Sequence, residues 1–191
     1  IENGKFTVEY MPNGTNVTNK PEDNTTYDQV TTKQIAIPKQ EPVRAGYNFI
    51  GWKVNEDDTL YKYGTKHDAY TNISAIQGSV TFYAQWEPVT YTITLQDKDN
   101  SIKITGTIEG LPELTTPEKE GHEFKGWYTE ENGGKKIETI TPENVTDLNG
   151  TTLYAHWEEI QTDDYEIKGV NTTDSTCLLY TSDAADDTPC V

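Results

Sequence analysis

The sequence predicts a mainly β or α+β protein that consists of two small domains in tandem. Three observations support this fold class. A long motif occurs twice, apolar and polar residues alternate over several short stretches, and no long amphipathic helix pattern is present. A repeat period of ~70–75 residues fits tandem small domains better than a continuous solenoid. The length of 191 residues accommodates two domains of this size.

The repeated motif has two parts, PxxxGxxFxGW and TxYAxW, with a loop of variable length between them. The first copy covers 42–52 and 81–86, and the second covers 117–127 and 152–157. All four tryptophans of the chain occupy motif positions. We assign a structural role to the invariant apolar, aromatic and glycine positions of both copies, which are Gly46, Phe49, Gly51, Trp52, Tyr83, Trp86, Gly121, Phe124, Gly126, Trp127, Tyr154 and Trp157.

The first predicted domain, unit 1, covers residues 1–88. Residues 5–11 alternate as a strand, and a polar stretch at 15–33 indicates a long exposed loop with one helical turn near its end. The glycine-containing half of the motif predicts a strand at 46–54. The second half predicts the closing strand at 79–86, which Pro88 ends.

The second predicted domain, unit 2, covers residues 89–159 and repeats this order. Strands are expected at 91–95 and 102–108, followed by the second copy of the motif. The segment 141–144 has proline at a position that suits the first turn of a helix, and it predicts one helical turn.

The closing strands alternate, so one face of each is expected to be core. That face carries a large side chain, an alanine and a tryptophan in each copy: Phe82, Ala84 and Trp86, then Leu153, Ala155 and Trp157. The alanine leaves space for a facing side chain, for which Phe49 and Phe124 are the expected candidates. We therefore expect Trp86 and Trp157 to be the indoles that pin each core from inside.

The glycine-containing strands allow two interpretations. Regular alternation places Trp52 and Trp127 on a partly polar face, where they would be available to a neighbouring protein or a sugar, together with Tyr47 and Tyr83. A bulge at the glycine that precedes each tryptophan would shift the alternation by one residue and turn the indole inward.

Gly46 and Gly121 each follow a proline by four residues and precede a predicted strand. We expect a turn with positive φ at both positions.

The charge of the chain argues against several partners. The formal net charge is −17 and the pI is about 4.4. Such a protein repels phosphate backbones and anionic membranes, and Arg44 is its only arginine. No stretch approaches the ~20 apolar residues of a membrane span. The chain begins at Ile1 without a signal peptide, so we expect an internal piece of a longer protein.

No residue pattern predicts catalysis, a metal or a cofactor. His67, His122 and His156 lie in no recognised motif. The segment 97–101 resembles the start of a calcium loop, but its glycine and final glutamate positions hold Ile102 and Ile108. We expect a protein that is not an enzyme.

The C-terminal part of the sequence differs in character. Residues 160–176 are interpreted as a linker or the start of a truncated third unit. From Cys177 onward the sequence resembles a translated sequencing adapter of the kind that ends metagenomic gene calls, so 177–191 is predicted to be a non-native tail. Both cysteines, Cys177 and Cys190, lie there, and the cysteine-free body has no disulfide framework or thiolate metal site.

The two motif copies over residues 5–159 resemble the Listeria–Bacteroides repeat, also called the internalin B-repeat. This resemblance implies β-grasp-like (ubiquitin-like) domains in large secreted bacterial proteins attached to the cell wall, where such repeats form stalks between adhesive domains and an anchor. It implies neighbouring repeats of the same chain as partners, whereas it is the negative net charge that argues against nucleic acid as a partner. The alternative is a module that binds a host protein or glycan through Tyr47, Trp52 and Trp127. The chain departs from the pattern in a longer segment before Pro42 and in His122, which replaces the aromatic residue Tyr47 of the first copy.

Overall fold

The computed structural model describes residues 4–55, 57–76 and 78–161. It contains two mixed β-sheets, each with its own hydrophobic core, and this confirms the mainly β fold class with two sheet-rich domains. The predictions for the third-unit start and for the adapter-like tail at 177–191 fall, apart from residues 160 and 161, outside the described residues.

The four-stranded sheet of unit 1 has the order β2-β1-β6-β4. Its central strands β1 and β6 are parallel, while β2 and β4 pair antiparallel on the outside. A separate small sheet is formed by β3 and β5, and one 3₁₀ turn spans Ile73–Ala75. The strands are β1 (Lys5–Met11), β2 (Thr26–Asp28), β3 (Ile35–Ala36), β4 (Tyr47–Val54), β5 (Ala69–Tyr70) and β6 (Gly78–Pro88).

The five-stranded sheet of unit 2 has the order β10-β9-β11-β7-β8. Its central strands β7 and β11 are parallel, as β1 and β6 are in unit 1, and the outer pairs are antiparallel. Its elements are β7 (Tyr91–Asp97), β8 (Asn100–Gly106), β9 (His122–Tyr128), β10 (Lys136–Ile137), α1 (Val145–Leu148) and β11 (Thr152–Glu159).

The cores follow from strict alternation in the first strand of each unit. Phe6, Val8 and Tyr10 of β1 are buried, and the residues between them are not. Tyr91, Ile93 and Leu95 of β7 repeat this pattern. One face of each sheet therefore supplies the apolar surface on which the intervening loops pack.

Two local predictions need correction. The polar stretch 15–33 contains strand β2 where a helical turn was expected, because Phe6 and Tyr27 pair across β1 and β2 and stack at 5.3 Å. The strand predicted at 102–108 corresponds to β8, which already ends at Gly106, so Ile108 lies in the turn that follows. The helical turn predicted at 141–144 is present, because the backbone N–H groups of Asn144 and Val145 both donate to the carbonyl oxygen of Thr141, and it leads into α1.

Candidate functional site: the tryptophan clusters and the junction of the units

Both units contain a β-bulge at the same position of the repeated motif. On β4, Phe49 pairs with Trp86 and Gly51 pairs with Gln85, so Ile50 has no partner on β6. On β9, Phe124 pairs with Trp157 and Gly126 pairs with His156, so Lys125 has no partner on β11. The glycines have φ values of 144° and 130°, a region that side-chain-bearing residues avoid. The bulge interpretation of the sequence is therefore confirmed in both copies.

The bulge turns the following tryptophan into the core. Trp52 is 0% exposed and Trp127 is 5% exposed. Their cross-strand partners are Ala84 and Ala155, which have the small side chains that these indoles require. The expectation that Phe49 and Phe124 would face the alanines is wrong, because the bulge moves each tryptophan into that place.

This burial also corrects the binding interpretation of Trp52 and Trp127. An indole with no accessible face cannot stack on a sugar or on a partner's side chain. In unit 2, the indole Nε1 of Trp127 donates a hydrogen bond to the carbonyl oxygen of Thr115 at 2.7 Å, so its polar group is also engaged within the fold.

Trp86 and Trp157, which were expected to be the central core indoles, lie half-buried at the margins of the cores. Each donates its Nε1–H to the C-terminal end of the first strand of its unit. Trp86 bonds the carbonyl oxygen of Pro12, the residue after β1, at 2.9 Å, and Trp157 bonds Oδ1 of Asp97, the last residue of β7, at 3.0 Å. In both copies, the closing strand is therefore bonded to the end of the first strand.

A phenylalanine connects the inner and the marginal tryptophan of each unit. Phe49 makes edge-to-face contacts with Trp52 and Trp86, with ring centroids 5.1 and 5.7 Å apart. Phe124 makes the same contacts with its two tryptophans at 5.5 and 5.2 Å. Aromatic pairs of this geometry contribute ~0.5–1.5 kcal/mol beyond area burial. Six of the twelve motif positions thus build the same three-ring cluster twice.

The bulge residues themselves point away from these clusters and differ in chemistry. Lys125 forms ion pairs with Glu158 at 2.8 Å and Glu123 at 3.1 Å, and the hydrogen bonds that its ammonium group donates to these carboxylates raise its pKa. The same contact lowers the pKa of Glu158. Ile50 occupies this place in unit 1. The bulge therefore requires the glycine but no particular residue before it.

The remaining motif residues have structural positions that suit their predicted roles. Gly46 and Gly121 have φ values of 79° and 69° in the turns that precede β4 and β9. Tyr83 points away from the core and is 39% exposed, and Tyr154 is half-buried.

Tyr47 is engaged at the junction between the two units. The guanidinium carbon of Arg44 lies 3.7 Å from the centroid of the Tyr47 ring, and the Tyr47 hydroxyl donates a hydrogen bond to Oε1 of Glu109 in unit 2 at 3.0 Å. Partial burial raises the pKa of Tyr47, and the bond to Glu109 adds to this shift. The ring that was predicted to bind an external ligand is thus covered by a residue of its own unit and bonded to the next.

The junction has a second contact that sequence reasoning missed. Gly46 lies so close to the side chain of Ile108 that an added Cβ would come within 2.8 Å of it. The backbone N–H of Val89 donates to the carbonyl oxygen of Gly46 at 2.9 Å, and the Val89 side chain packs on the core of unit 2. Glycine is therefore needed at position 46 for its φ and for the approach of unit 2.

The described residues show no catalytic or metal-binding arrangement. His156 stacks on Tyr128 at 3.9 Å, and its Nε2 lies 2.9 Å from the carbonyl oxygen of Glu130. Within 4–55, 57–76 and 78–161, no three His, Cys, Asp or Glu side chains converge as metal ligands. In the same part of the chain no helix has the length and apolar character needed to cross a bilayer.

A shallow cleft of about 560 Å³ borders Trp157 in unit 2. Lys98 and Lys119 line it, but so do Glu131 and Glu159, so its charges balance. The lining of this cleft therefore has no electrostatic preference for an anionic or a cationic ligand.

Comparison with known proteins identifies relatives of cell-envelope type. A Gly-rich putative membrane protein of Evansella cellulosilytica is 29% identical over 98% of the chain, and another putative membrane protein of that organism is 35% identical over 58%. Internalin H of Listeria monocytogenes is 32% identical over 61%. The chain spans about a fifth of the length of each of these relatives.

The family comparison divides the chain as its internal repeat does. The profile of the Listeria-Bacteroides repeat domain matches residues 6–85 and, a second time, residues 89–156. Each match contains the bulged strand, its buried tryptophan and the first part of the closing strand, up to the residue before Trp86 or Trp157. The chain belongs to the Listeria-Bacteroides repeat family and contains two copies of that repeat.

Proposed function

We propose that the two units are a non-catalytic spacer, a section of the stalk of a bacterial surface protein. On this proposal the parent protein is extracellular and attached to the cell wall. Adhesive contact is made by other segments of the parent, since Trp52 and Trp127 are buried and Tyr47 is engaged at the junction. The relatives named as membrane proteins and as an internalin support a place in the cell envelope.

The observation that carries the proposal is the direct connection between the units. Strand β6 ends at Pro88 and β7 begins at Tyr91, so only two residues separate the sheets. A spacer must hold the segments at its two ends a fixed distance apart, and a short link with contacts on both sides limits bending. The contacts of Tyr47 with Glu109 and of Gly46 with Ile108 supply that restraint.

We further propose that each unit is a β-grasp-like domain. The support is the sheet order, which places a parallel pair formed by the first and last strands at the centre, with an antiparallel neighbour on each side. A parallel pair formed by the two ends of a domain closes its fold, so pulling on both termini loads these strands along their length. This arrangement suits a stalk.

Orientation measurements by NMR test the proposal. Residual dipolar couplings from both units should fit one alignment tensor, because the units form a single restrained body. The variant Ile108→Asp should separate the fit into two tensors, because an ionised carboxylate against Gly46 disrupts the junction. Ile102→Asp is the matched control, since Ile102 is 62% exposed on β8 and has no part in the junction. Two independent tensors in the unmodified chain would contradict the spacer proposal.

A further inference from the structure

The surface of unit 1 that contacts unit 2 consists of three parts. The carbonyl oxygen of Gly46 accepts the backbone N–H of Val89, the missing side chain of Gly46 leaves room for Ile108, and the hydroxyl of Tyr47 binds Glu109. The apolar side chain of Val89 is partly buried against the core of unit 2. All parts of this surface are therefore covered.

Unit 2 contains the same surface, and there it is uncovered. The backbone N–H of Ile160 donates to the carbonyl oxygen of Gly121 at 2.9 Å, as Val89 does to Gly46. Among residues 4–55, 57–76 and 78–161, no atom outside the two chain neighbours of Gly121 lies within 4 Å of the Cβ that it would carry, and the side chain of Ile160 is 54% exposed. His122 holds the position of Tyr47. The apolar side chain at this position is therefore partly buried in unit 1, as Val89, and exposed in unit 2, as Ile160.

The opposite end of unit 1 presents the complementary part. The parallel register pairs Tyr10 with Phe82 in unit 1 and Leu95 with Leu153 in unit 2. Because Phe82 and Leu153 hold the same motif position, Tyr10 of β1 corresponds to Leu95 of β7, and Phe6 corresponds to Tyr91.

Across the sheet, Phe6 pairs with Tyr27 and Tyr91 pairs with Gly106. The turn after β2 therefore corresponds to the turn that carries Ile108. By this register the counterpart of Ile108 is Gln29, and the residue that follows it, Val30, is apolar and 75% exposed.

We infer that Gly121, His122 and Ile160 form a docking surface for a following repeat unit of the same fold. The occupant presents the turn after its second strand, with an apolar residue against Gly121, as unit 2 presents Ile108 to unit 1. This inference rests on the proposed spacer function and specifies the partner, since it makes the docking of units 1 and 2 one step of a regular series.

The interface is heterologous, because the two surfaces that meet are different parts of the repeat. Such contacts propagate in one direction and do not close into a dimer. The tether of two residues holds the surfaces at a high effective concentration, on the order of millimolar, so a small interface is sufficient within one chain. Repetition of the same contact gives a rod with a fixed rotation per unit.

The test uses the full chain with a second copy of residues 91–161 inserted after Gln161, which reproduces the spacing between Val89 and Tyr91. Solvent exposure of the Ile160 side chain is measured by NMR with a soluble paramagnetic probe. We expect the attenuation of the Ile160 methyl signals to fall to the level of the Val89 methyls. We also expect the added unit to share the alignment tensor of units 1 and 2.

Two variants test whether the protection of Ile160 requires the docked interface or only the presence of an added unit. Replacing the inserted copy's counterpart of Ile108 by Asp should restore the exposure of Ile160, whereas the same change at its counterpart of Ile102 should leave Ile160 protected. An inserted unit that is folded but aligns independently, with Ile160 still exposed, would overturn the inference while leaving the junction of units 1 and 2, and hence the spacer proposal, intact. Separate alignment of units 1 and 2 would overturn both.

Discussion

The bulge glycines provide the sharpest test of how the motif works. In the variant Gly51→Ala, the residue keeps a φ near 144°, where a side chain costs ~1–3 kcal/mol. Its Cβ would lie 3.1 Å from the carbonyl oxygen of Tyr61, which accepts the backbone N–H of Trp52, and the N–H of Tyr61 donates in turn to the carbonyl oxygen of Trp52, so this backbone cannot easily move. We therefore expect a loss near the upper end, about 3 kcal/mol.

The matched substitution in unit 2 should cost less. The Cβ of Gly126→Ala would meet the end of the Lys136 side chain, which is flexible and can move away. The remaining cost is the backbone strain at φ 130°, about 2 kcal/mol. Gly121→Ala is the control: its φ of 69° lies in the left-handed helical region and its surroundings are open, so a loss of about 1 kcal/mol is expected.

The assay is urea unfolding followed by NMR, with amide signals of each unit fitted separately. The midpoint should fall most for Gly51→Ala and least for Gly121→Ala, with unchanged slopes. If both bulge variants lose no more stability than the control, the glycines are not required for the bulge and the reasoning is refuted.

Three further predictions follow from the same structure. Trp127→Ala should lower the free energy of unfolding of unit 2 by about 3–5 kcal/mol in urea titrations, whereas Trp157→Ala, which removes a half-buried ring and one hydrogen bond, should cost about 2 kcal/mol; equal losses would contradict the assignment. Burial and the bond to Asp57 raise the pKa of Tyr61 from 10.0 to about 12, so its contribution to stability is present below pH 10 and is lost as pH rises towards 12. Stability measured across this range should decline less in Tyr61→Phe, and an equal decline would contradict the role of this phenol. The amide of Thr31 and the ammonium of Lys5 lower the pKa of Asp28 to about 2, so its contribution is present above pH 3.8 and is lost as pH falls towards 2. Acid titration of Asp28→Asn should lack this component, and an unchanged acid profile would refute it.

Much of the architecture could be predicted from the sequence because it depends on local alternation. The strands that begin at Lys5 and Tyr91 bury every second residue, as their patterns indicate. The positive φ of Gly46 and Gly121 could also be predicted, since a proline and a glycine before a strand indicate such a turn.

The identity of the buried indole required knowledge of the register. Alternation alone favoured Trp86 as the core residue, and only the bulge before Trp52 reverses the assignment. Glycine permits a bulge but does not impose one, because the outcome depends on which strand register buries more apolar surface. The sequence therefore indicated the two alternatives and could not choose between them.

The junction between the units was not predictable from local patterns. Tyr47 and Glu109 are 62 residues apart; Tyr47 belongs to the strand predicted at 46–54, and Glu109 belongs to a segment that is typical of a solvated loop. Ile108 was assigned to the strand predicted at 102–108, so its position in the turn after β8 was not foreseen. Its significance becomes clear only when the exposed Ile160 is compared with the partly buried Val89.

The most direct test of the account is the cross-strand neighbour of each alanine in the closing strands, measured by nuclear Overhauser effects in the full chain. We predict strong effects from the methyl group of Ala84 to the indole of Trp52, and from the methyl group of Ala155 to the indole of Trp127, because the bulge sets this register. If the alanine methyls instead face the rings of Phe49 and Phe124, the strands are unbulged and the account of the repeat is wrong.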